Sequence, residues 1–344
     1  MLDSPSASTA PLRQSPTQTD IAIIGGGIVG MTLAAALKDS GLDITIVDAA
    51  PREAGLKRQR AYAITLLSGR LFGTLGIWDK ILPDITTFKT IRLADARCPA
   101  VINLSPQDLG TAELGYVGEH RVLARELQQY LDDATNVHWH CPARLESVTY
   151  GDRSALLRVS DADGSYPLQA RLVVAADGSR SQLRQQANIK TTGWKYWQSC
   201  VTAVIRPERP HGNIAREHFW PSGPFATLPL PGNRCQIVLT APHAEAERMM
   251  TLGDGEFLSL LSDRYGGELG KLELLSQRLR FPVKLMHSRR YAKPRLVLVG
   301  DSAHCCHPVG GQGMNLGIRD AMALAQVLQT AQGRGEDIGS LATL

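Results

Sequence analysis

Asp20-Ile-Ala-Ile-Ile-Gly25-Gly26-Gly27-Ile-Val-Gly30 is an apolar run that breaks into glycine and then resumes with helix-forming residues. It reads as a strand, a tight turn and the start of a helix from Val29 to Lys38, which Gly41 ends. Leu42 to Val47 reads as the next strand, so a βαβ unit opens the chain. Gly25, Gly27 and Gly30 fit the spacing G-x-G-x-x-G between strand and helix, where backbone N–H groups and a helix N-terminus face a pyrophosphate. Asp48 follows at the end of the second strand, placed to accept hydrogen bonds from ribose hydroxyls. Together they predict an α/β domain that holds a dinucleotide with a free 2′-OH, without separating FAD from NAD.

A second glycine-rich junction stands near the other end: Leu296-Val-Leu-Val-Gly300-Asp301-Ser302-Ala-His304-Cys-Cys-His307-Pro308-Val-Gly310-Gly311-Gln312-Gly313-Met314-Asn315-Leu316-Gly317. Here a strand delivers Asp301 to its C-terminal tip, where ligands bind in open α/β sheets and where a carboxylate suits a ribityl hydroxyl. The loop from Pro308 to Gly313 feeds a helix from Met314 to Leu328, whose N-terminal amides would stabilise negative charge on a flavin ring. Two such loops far apart in sequence indicate one long ligand held at both ends, and a flavin suits the second loop better than a nicotinamide.

Between the junctions the texture changes. Pro51 to Arg60 is polar and basic, hence a loop; Ser68 to Trp78 reads as a helix, with Gly76 near its end, and Arg121 to Leu131 as another. Short alternating segments appear at Phe88 to Leu93 and Ala100 to Leu104, and a strand at Ala170 to Ala175 runs into Asp177-Gly178-Ser-Arg-Ser181. Asp177 is placed to cap a helix from Ser181 to Gln186. From Thr191 to Pro282 short β-like runs alternate with Pro and Gly, at Cys200 to Ile205, Ala215 to Trp220, Phe225 to Leu230 and Cys235 to Thr240. The expected architecture is a dinucleotide domain assembled from residues 20–84, 116–190 and 288–344, with an antiparallel-sheet substrate domain from 85–115 and 191–287. Residues 1–19, rich in Ser, Thr and Pro, are expected to form a disordered tail without a secretory signal.

A net charge of +4 over 344 residues, with acids and bases interspersed, leaves no electrostatic footprint for nucleic acid. Six cysteines without a CxxC pair fit a reducing, cytoplasmic setting. The apolar stretch from Ile21 to Leu37 is broken by glycines and closed by Lys38-Asp39, so no membrane span is expected. His304, Cys305, Cys306 and His307 carry good zinc-ligand chemistry, but consecutive residues on one tight loop do not readily converge on one ion. No metal is expected there. Trp194, Trp197, Phe219, Trp220 and Phe225 are candidates for an aromatic pocket, although such residues on short strands more often form core.

With these motifs in place, the chain resembles the FAD-dependent aromatic hydroxylases of the para-hydroxybenzoate hydroxylase superfamily, and most closely the ubiquinone-biosynthesis hydroxylases. The resemblance rests on Gly300-Asp301-x-Ala303-His304-x-x-His307-Pro308-x-x-Gly311-Gln312-Gly313-x-Asn315-Leu316-Gly317-x-x-Asp320, with Asp177-Gly178-x-x-Ser181-x-x-Arg184 and the first glycine motif in family order. It implies a Rossmann-like FAD domain of the GR2 type with a mixed or parallel sheet. It implies that Gly25 to Gly30 and Asp48 hold the ADP half, that Asp177 and Gly178 serve FAD and NAD(P)H, and that Gly300, Asp301, Gly311 and Gly313 to Asn315 (Met314 included) hold the ribityl and flavin end. Arg60 resembles the arginine that approaches the pyrophosphate and Arg121 a further cofactor contact, while Pro308 would pack near the reactive face of the flavin. The implied reaction is an NAD(P)H-dependent monooxygenation in which a flavin C4a-hydroperoxide hydroxylates a phenolic, prenylated quinone precursor with O2. No side chain is assigned as acid or base. A lipid-like substrate implies peripheral membrane contact, and the family setting implies a quinone-biosynthesis complex or a homo-oligomer. The family usually continues for several dozen residues past the Asp320 helix. That difference keeps open an idle FAD-binding accessory subunit, beside a related flavin reductase or halogenase, although Trp194-Lys-Tyr-Trp197 does not match the halogenase segment.

Overall fold

The structure is a computed structural model that describes residues 16–344. Three sheets form among the described residues. The largest parallel array has the order β18 (Ala292–Lys293), β19 (Leu296–Leu298), β11 (Gly164–Ala175), β1 (Thr17–Ile24), β2 (Ile44–Val47) and β8 (Val137–His140). Strands β19, β11, β1, β2 and β8 run parallel, while β9 (Arg144–Tyr150) and β10 (Ala155–Asp161) extend β11 as an antiparallel ribbon. The alternation of apolar runs with helices produces this order, because parallel neighbours need crossover connections and bury both faces. On one face lie α1 (Ile28–Ala36), α4 (His120–Asp132) and α8 (Gln312–Gly333), sealing Ile21, Ile23, Ile44, Leu123, Leu172 and Ile318 from water. Each such side chain contributes about 1.5–3 kcal/mol of transfer free energy. The ribbon and α5 (Gln182–Gln186) cover the other face around Leu157, Leu168, Val173 and Leu183.

The second sheet is mainly antiparallel. It contains β20 (His304–Cys305), β17 (Leu279–Ser288), β12 (Thr191–Pro207), β15 (Arg234–Pro242), β14 (Gly223–Leu230), β13 (Ile214–Trp220), β5 (Thr90–Asp95) and β6 (Cys98–Leu104), with β16 (Leu272–Leu274) beside β12. Helices α6 (His243–Thr251) and α7 (Asp254–Tyr265) cover one face around Val201, Phe225, Ile237, Leu239 and Phe257. The third sheet is small: β3 (Ala61–Ile64), β7 (Gly115–Glu119) and β4 (Thr86–Phe88), followed or preceded by α2 (Leu66–Thr74) and α3 (Trp78–Ile81). It joins the other two, since Ala61, Phe88 and Val117 pack with Val204, Ala215 and Leu230 of the antiparallel sheet.

Several boundaries differ from those expected. Strand β1 begins at Thr17, where pairing with Leu168 orders the backbone before the apolar run starts; residues 1–15 of the expected tail lie outside the described residues. The single helix expected from Ser68 to Trp78 is two, because Gly76 adopts a φ of 73° between α2 and α3. Ser181, not Asp177, is the N-cap of α5, although the Asp177 carboxylate also accepts from the Gln182 and Leu183 amides at 2.8 and 3.3 Å. Pairing also crosses the expected division of the chain: Thr86–Phe88 belongs to the small sheet, and His304–Cys305 adds an edge to the antiparallel one. No helix among the described residues is long and apolar enough to cross a membrane.

Candidate active site

The tips of β1, β11 and β19 are adjacent, and each carries one of the three sequence motifs. Parallel pairing of Ile24 with Ala175, and of Ala175 with Leu298, sets the Gly25 turn, the Asp177 loop and the Gly300 turn side by side. The glycines are required by contact. Gly25 has a φ of 115°, and a Cβ there would lie 2.3 Å from the Ala176 carbonyl oxygen; a Cβ on Gly30 would lie 2.0 Å from that of Gly25. Gly27, Gly178 and Gly313 instead face open space, which leaves their backbones accessible to a ligand.

Beside the first turn is a groove lined by Gly26, Gly27, Asp48, Arg52, Arg58 and Trp139. Asp48 anchors it: one carboxylate oxygen accepts from the Gly26 amide at 2.7 Å and the other from Ala50 at 2.8 Å. Arg52 stacks 4.5 Å from the Trp139 ring centroid. An indole and a guanidinium along a groove that ends at a carboxylate suit an adenosine. Arg52, Arg58 and Trp139 were not singled out from the sequence, because a basic loop and a strand Trp carry no periodic signal. Arg121 does not line this groove; its guanidinium binds Glu119 at 2.9 Å, beside Arg234.

At the other end, Asp301 stands among Arg60, Lys284 and His304. Burial pushes its carboxyl up, and those three cations pull it partly back. The Arg60 guanidinium lies 5.2 Å from the Phe281 ring centroid and also acts on Tyr62, whose phenol burial pushes up. Tyr62 and His120 share a hydrogen bond of 3.0 Å, and burial with the charges of Arg58 and Arg60 drives His120 down to about 4. His120 is therefore neutral at pH 7. Arg60 thus bridges the two halves of the cleft.

The Pro308–Gly313 loop is held from below by Asn315. Its fully buried side chain accepts from the Thr65 amide at 2.9 Å and the Ser68 hydroxyl at 2.8 Å. It donates to the carbonyls of Ala63 and Gly311 at 2.9 and 3.0 Å. That side chain is fully engaged inside the protein, so only its backbone is left for a ligand. Gly310 and Gly311 have φ values of 73° and 62°, and they turn the chain into α8, which starts two residues earlier than expected. His304 bonds to Asp320 at 2.7 Å, and that hydrogen bond raises the imidazole against the opposing effect of burial. His307 accepts from the Val309 amide and packs edge-on against Tyr196. The two histidines serve the loop from different sides, and no metal-binding cluster occurs among the described residues. Of the aromatic candidates, Phe225 and Trp220 pack on the helix-covered side of the antiparallel sheet, while Trp194 and Trp197 are exposed.

The residues present therefore fit FAD: an adenosine groove with a carboxylate, glycine turns open to a pyrophosphate, the Asp301 carboxyl at a strand tip for polyol hydroxyls, and a helix N-terminus beyond. The family described as FAD binding domain matches residues 18–338. An uncharacterised protein of Synechocystis is 46% identical over 95% of this chain and 79% of its own length. The ubiquinone hydroxylase UbiL of Rhodospirillum rubrum is 36% identical over 99% of this chain and 79% of its own. Among solved structures, Pseudomonas aeruginosa PqsL with 2-aminobenzoylacetate superposes with a TM-score of 0.82 at 23% identity, covering 94% of this chain and 89% of that one. The chain thus belongs to the FAD-dependent aromatic monooxygenases, with FAD as its cofactor.

Proposed function

We propose that the protein hydroxylates the ring of a phenol on the way to a quinone, using NAD(P)H as reductant and O2 as oxidant. The observation that carries this reading is the 36% identity to a ubiquinone hydroxylase over 99% of this chain, combined with a cleft in which Arg60 acts on Asp301 and lies against Phe281 of the antiparallel sheet. In this reading Gly25, Gly27, Gly30 and Asp48 hold the ADP half with Arg52 and Arg58, while Arg121, engaged by Glu119, stays outside the groove. Asp177 and Gly178 close over the middle of the cofactor. Gly300 and Asp301 bind the ribityl chain. Pro308, Gly311, Gly313, Met314 and the Asn315 backbone bound the ring.

When bound, FAD supplies the redox and oxygen chemistry. The protein does the rest. The N-terminal amides of α8 stabilise negative charge at the edge of the ring. Arg60 adds a fixed cation there, and neutral His120 holds Tyr62 in place without adding another. The packing of Ala215, Val204 and Leu230 on Ala61 and Val117 fixes the antiparallel sheet against the small sheet that carries Tyr62. A prenylated substrate would bring the protein into transient contact with a membrane surface in the cytoplasm, alone as an oligomer or within a quinone-synthesis complex.

The test is anaerobic reduction of the FAD-loaded protein by NADH or NADPH, then addition of 18O2 with a panel of alkyl phenols. One labelled oxygen in the ring is expected. Reduction without any labelled product overturns the hydroxylase reading in favour of a reductase. Mass spectrometry of a strain lacking the protein should show a phenolic quinone precursor accumulating; an unchanged quinone profile overturns the quinone assignment.

A further inference from the structure

The sheet face turned toward the cofactor cleft carries a carboxylate with an unpartnered oxygen. On β13, Ala215 packs with Ala61 and Val117 of the small sheet. Side chains alternate along a strand, so Glu217 shares that face. In register it stands opposite Ala226 on β14 and Leu93 on β5, whereas Phe225, the next residue along β14, belongs to the helix-covered core. Cys200 and Thr240 pair across β12 and β15, and both follow the same alternation, since Val201 and Leu239 are on the helix side. The charges of Glu217 and Arg60 both act on the Cys200 thiol, in opposite directions. Arg60 reaches from there to Asp301. Glu217 is thereby placed on the wall opposite the flavin end of the cleft.

One oxygen of this carboxyl is buried without a hydrogen-bond partner. Leaving a buried acceptor unmatched costs about 1–3 kcal/mol, and protein interiors rarely keep such a group without a use. Burial alone pushes the carboxyl up to about 7, the range that suits a base at neutral pH. In register the carboxyl faces Ala226 and Leu93, and burial is the one influence on it, with no cation acting there. The donor that completes the site is therefore a neutral O–H.

We propose that Glu217 receives the ring hydroxyl of the substrate, accepting its proton as the ring is attacked. This rests on the phenol hydroxylase reading. In the step the phenolic O–H bond breaks, the proton moves to a Glu217 carboxylate oxygen, and the electron pair stays on the phenolic oxygen, enriching the ortho and para carbons. One atom of O2 bonds to the ring carbon as the O–O bond breaks, the other leaving as water with two electrons from NAD(P)H, and the ring hydrogen then leaves as a proton to solvent. The Glu217 proton then returns to the phenolic oxygen.

The test uses FAD-loaded wild type, Glu217→Met and Glu217→Leu, with 2-hexylphenol and its methyl ether as probes, binding being read by calorimetry and by the flavin spectrum. Wild type is expected to prefer the phenol by about 10-fold or more, and both variants to bind the two probes within about 2-fold of each other. Both variants should keep their FAD and melt at or above the wild-type temperature, since an unmatched carboxyl has gone. A variant that keeps the preference overturns the proposal and leaves the hydroxylase reading standing. Loss of preference with a lower Tm or lower FAD content in both variants makes Glu217 a structural residue and overturns it too. A wild type that binds neither probe and oxidises NAD(P)H no faster with any phenol overturns both readings.

Discussion

At the scale of single residues, the cleft is built from contacts that admit no substitute. Gly25 combines a left-handed φ with a carbonyl 2.3 Å from where a Cβ would sit, so Gly25→Ala should destabilise the protein by more than the about 1–3 kcal/mol of backbone strain alone. Thermal melting of the FAD-free protein checks this, and an unchanged Tm contradicts the contact. The His304–Asp320 pair predicts a pH dependence. Its imidazole is raised above the ordinary 6.5, so the contribution is complete below that pH and is lost as pH rises through the folded value. Melting from pH 5.5 to 8.5 should show wild type losing this increment on the alkaline side, and Asp320→Asn should flatten that part of the curve. Asp320 also accepts from the Gly300 amide at 2.8 Å, so the variant should be less stable at every pH as well.

At the scale of elements, the positions of α1 and α8 depend on a missing side chain. A Cβ on Gly317 would lie 2.6 Å from a Val29 methyl, and the Gly300 Cα is 3.3 Å away. Gly317→Ala should push the helices apart and cost about 1–3 kcal/mol in urea melts. Adding Val29→Ala should return part of that loss, because it removes the methyl in the way; additive losses would contradict the packing. The same contact carries function, since α1 begins at the first glycine motif and α8 at the last. How these elements would form was legible in the sequence: strand, glycine turn and helix follow from apolar periodicity and turn chemistry. Their ends were less so. The extension of β12 to Thr191 depends on pairing with Ser288 and its neighbours, and no local pattern records that partner.

At the scale of the whole molecule, the antiparallel sheet is tied to the cofactor domain by charge as well as by apolar packing. Arg234 on β15 grips Glu119 with two hydrogen bonds of 3.1 and 2.9 Å, and Lys284 on β17 donates to the Ser179 carbonyl at 2.9 Å. Burial acts to raise the Glu119 carboxyl, but the hydrogen bonds from Arg234 and Arg121 outweigh it and the net shift is downward. The tie is therefore present above the ordinary carboxylate value near 4.5 and is lost as pH falls through the lower folded value. Glu119→Gln should weaken it by about 1–3 kcal/mol at pH 7. Hydrogen exchange should then quicken in β7 and β15 while β1 and β11 keep their protection; uniform protection would show that the apolar contacts alone hold the sheets together.

The sequence by itself determined the βαβ start, the acid at Asp48, the second glycine junction with Asp301 and the family they spell. These depend on short-range chemistry: turn geometry, side-chain period and fixed spacing, all written within a few dozen residues. It did not determine what the side chains do once the chain closes on itself. The same Asn315 that belongs to the flavin-loop signature has its amide engaged by Thr65, Ser68, Ala63 and Gly311. Arg52 falls in the expected Pro51–Arg60 loop and Glu217 in the expected Ala215–Trp220 strand, while Trp139 lies in no expected element. Only the tertiary structure brought Arg52 and Trp139 to the adenosine groove and left Glu217 with a buried oxygen unmatched, because burial and partnership are set by segments far apart in the chain.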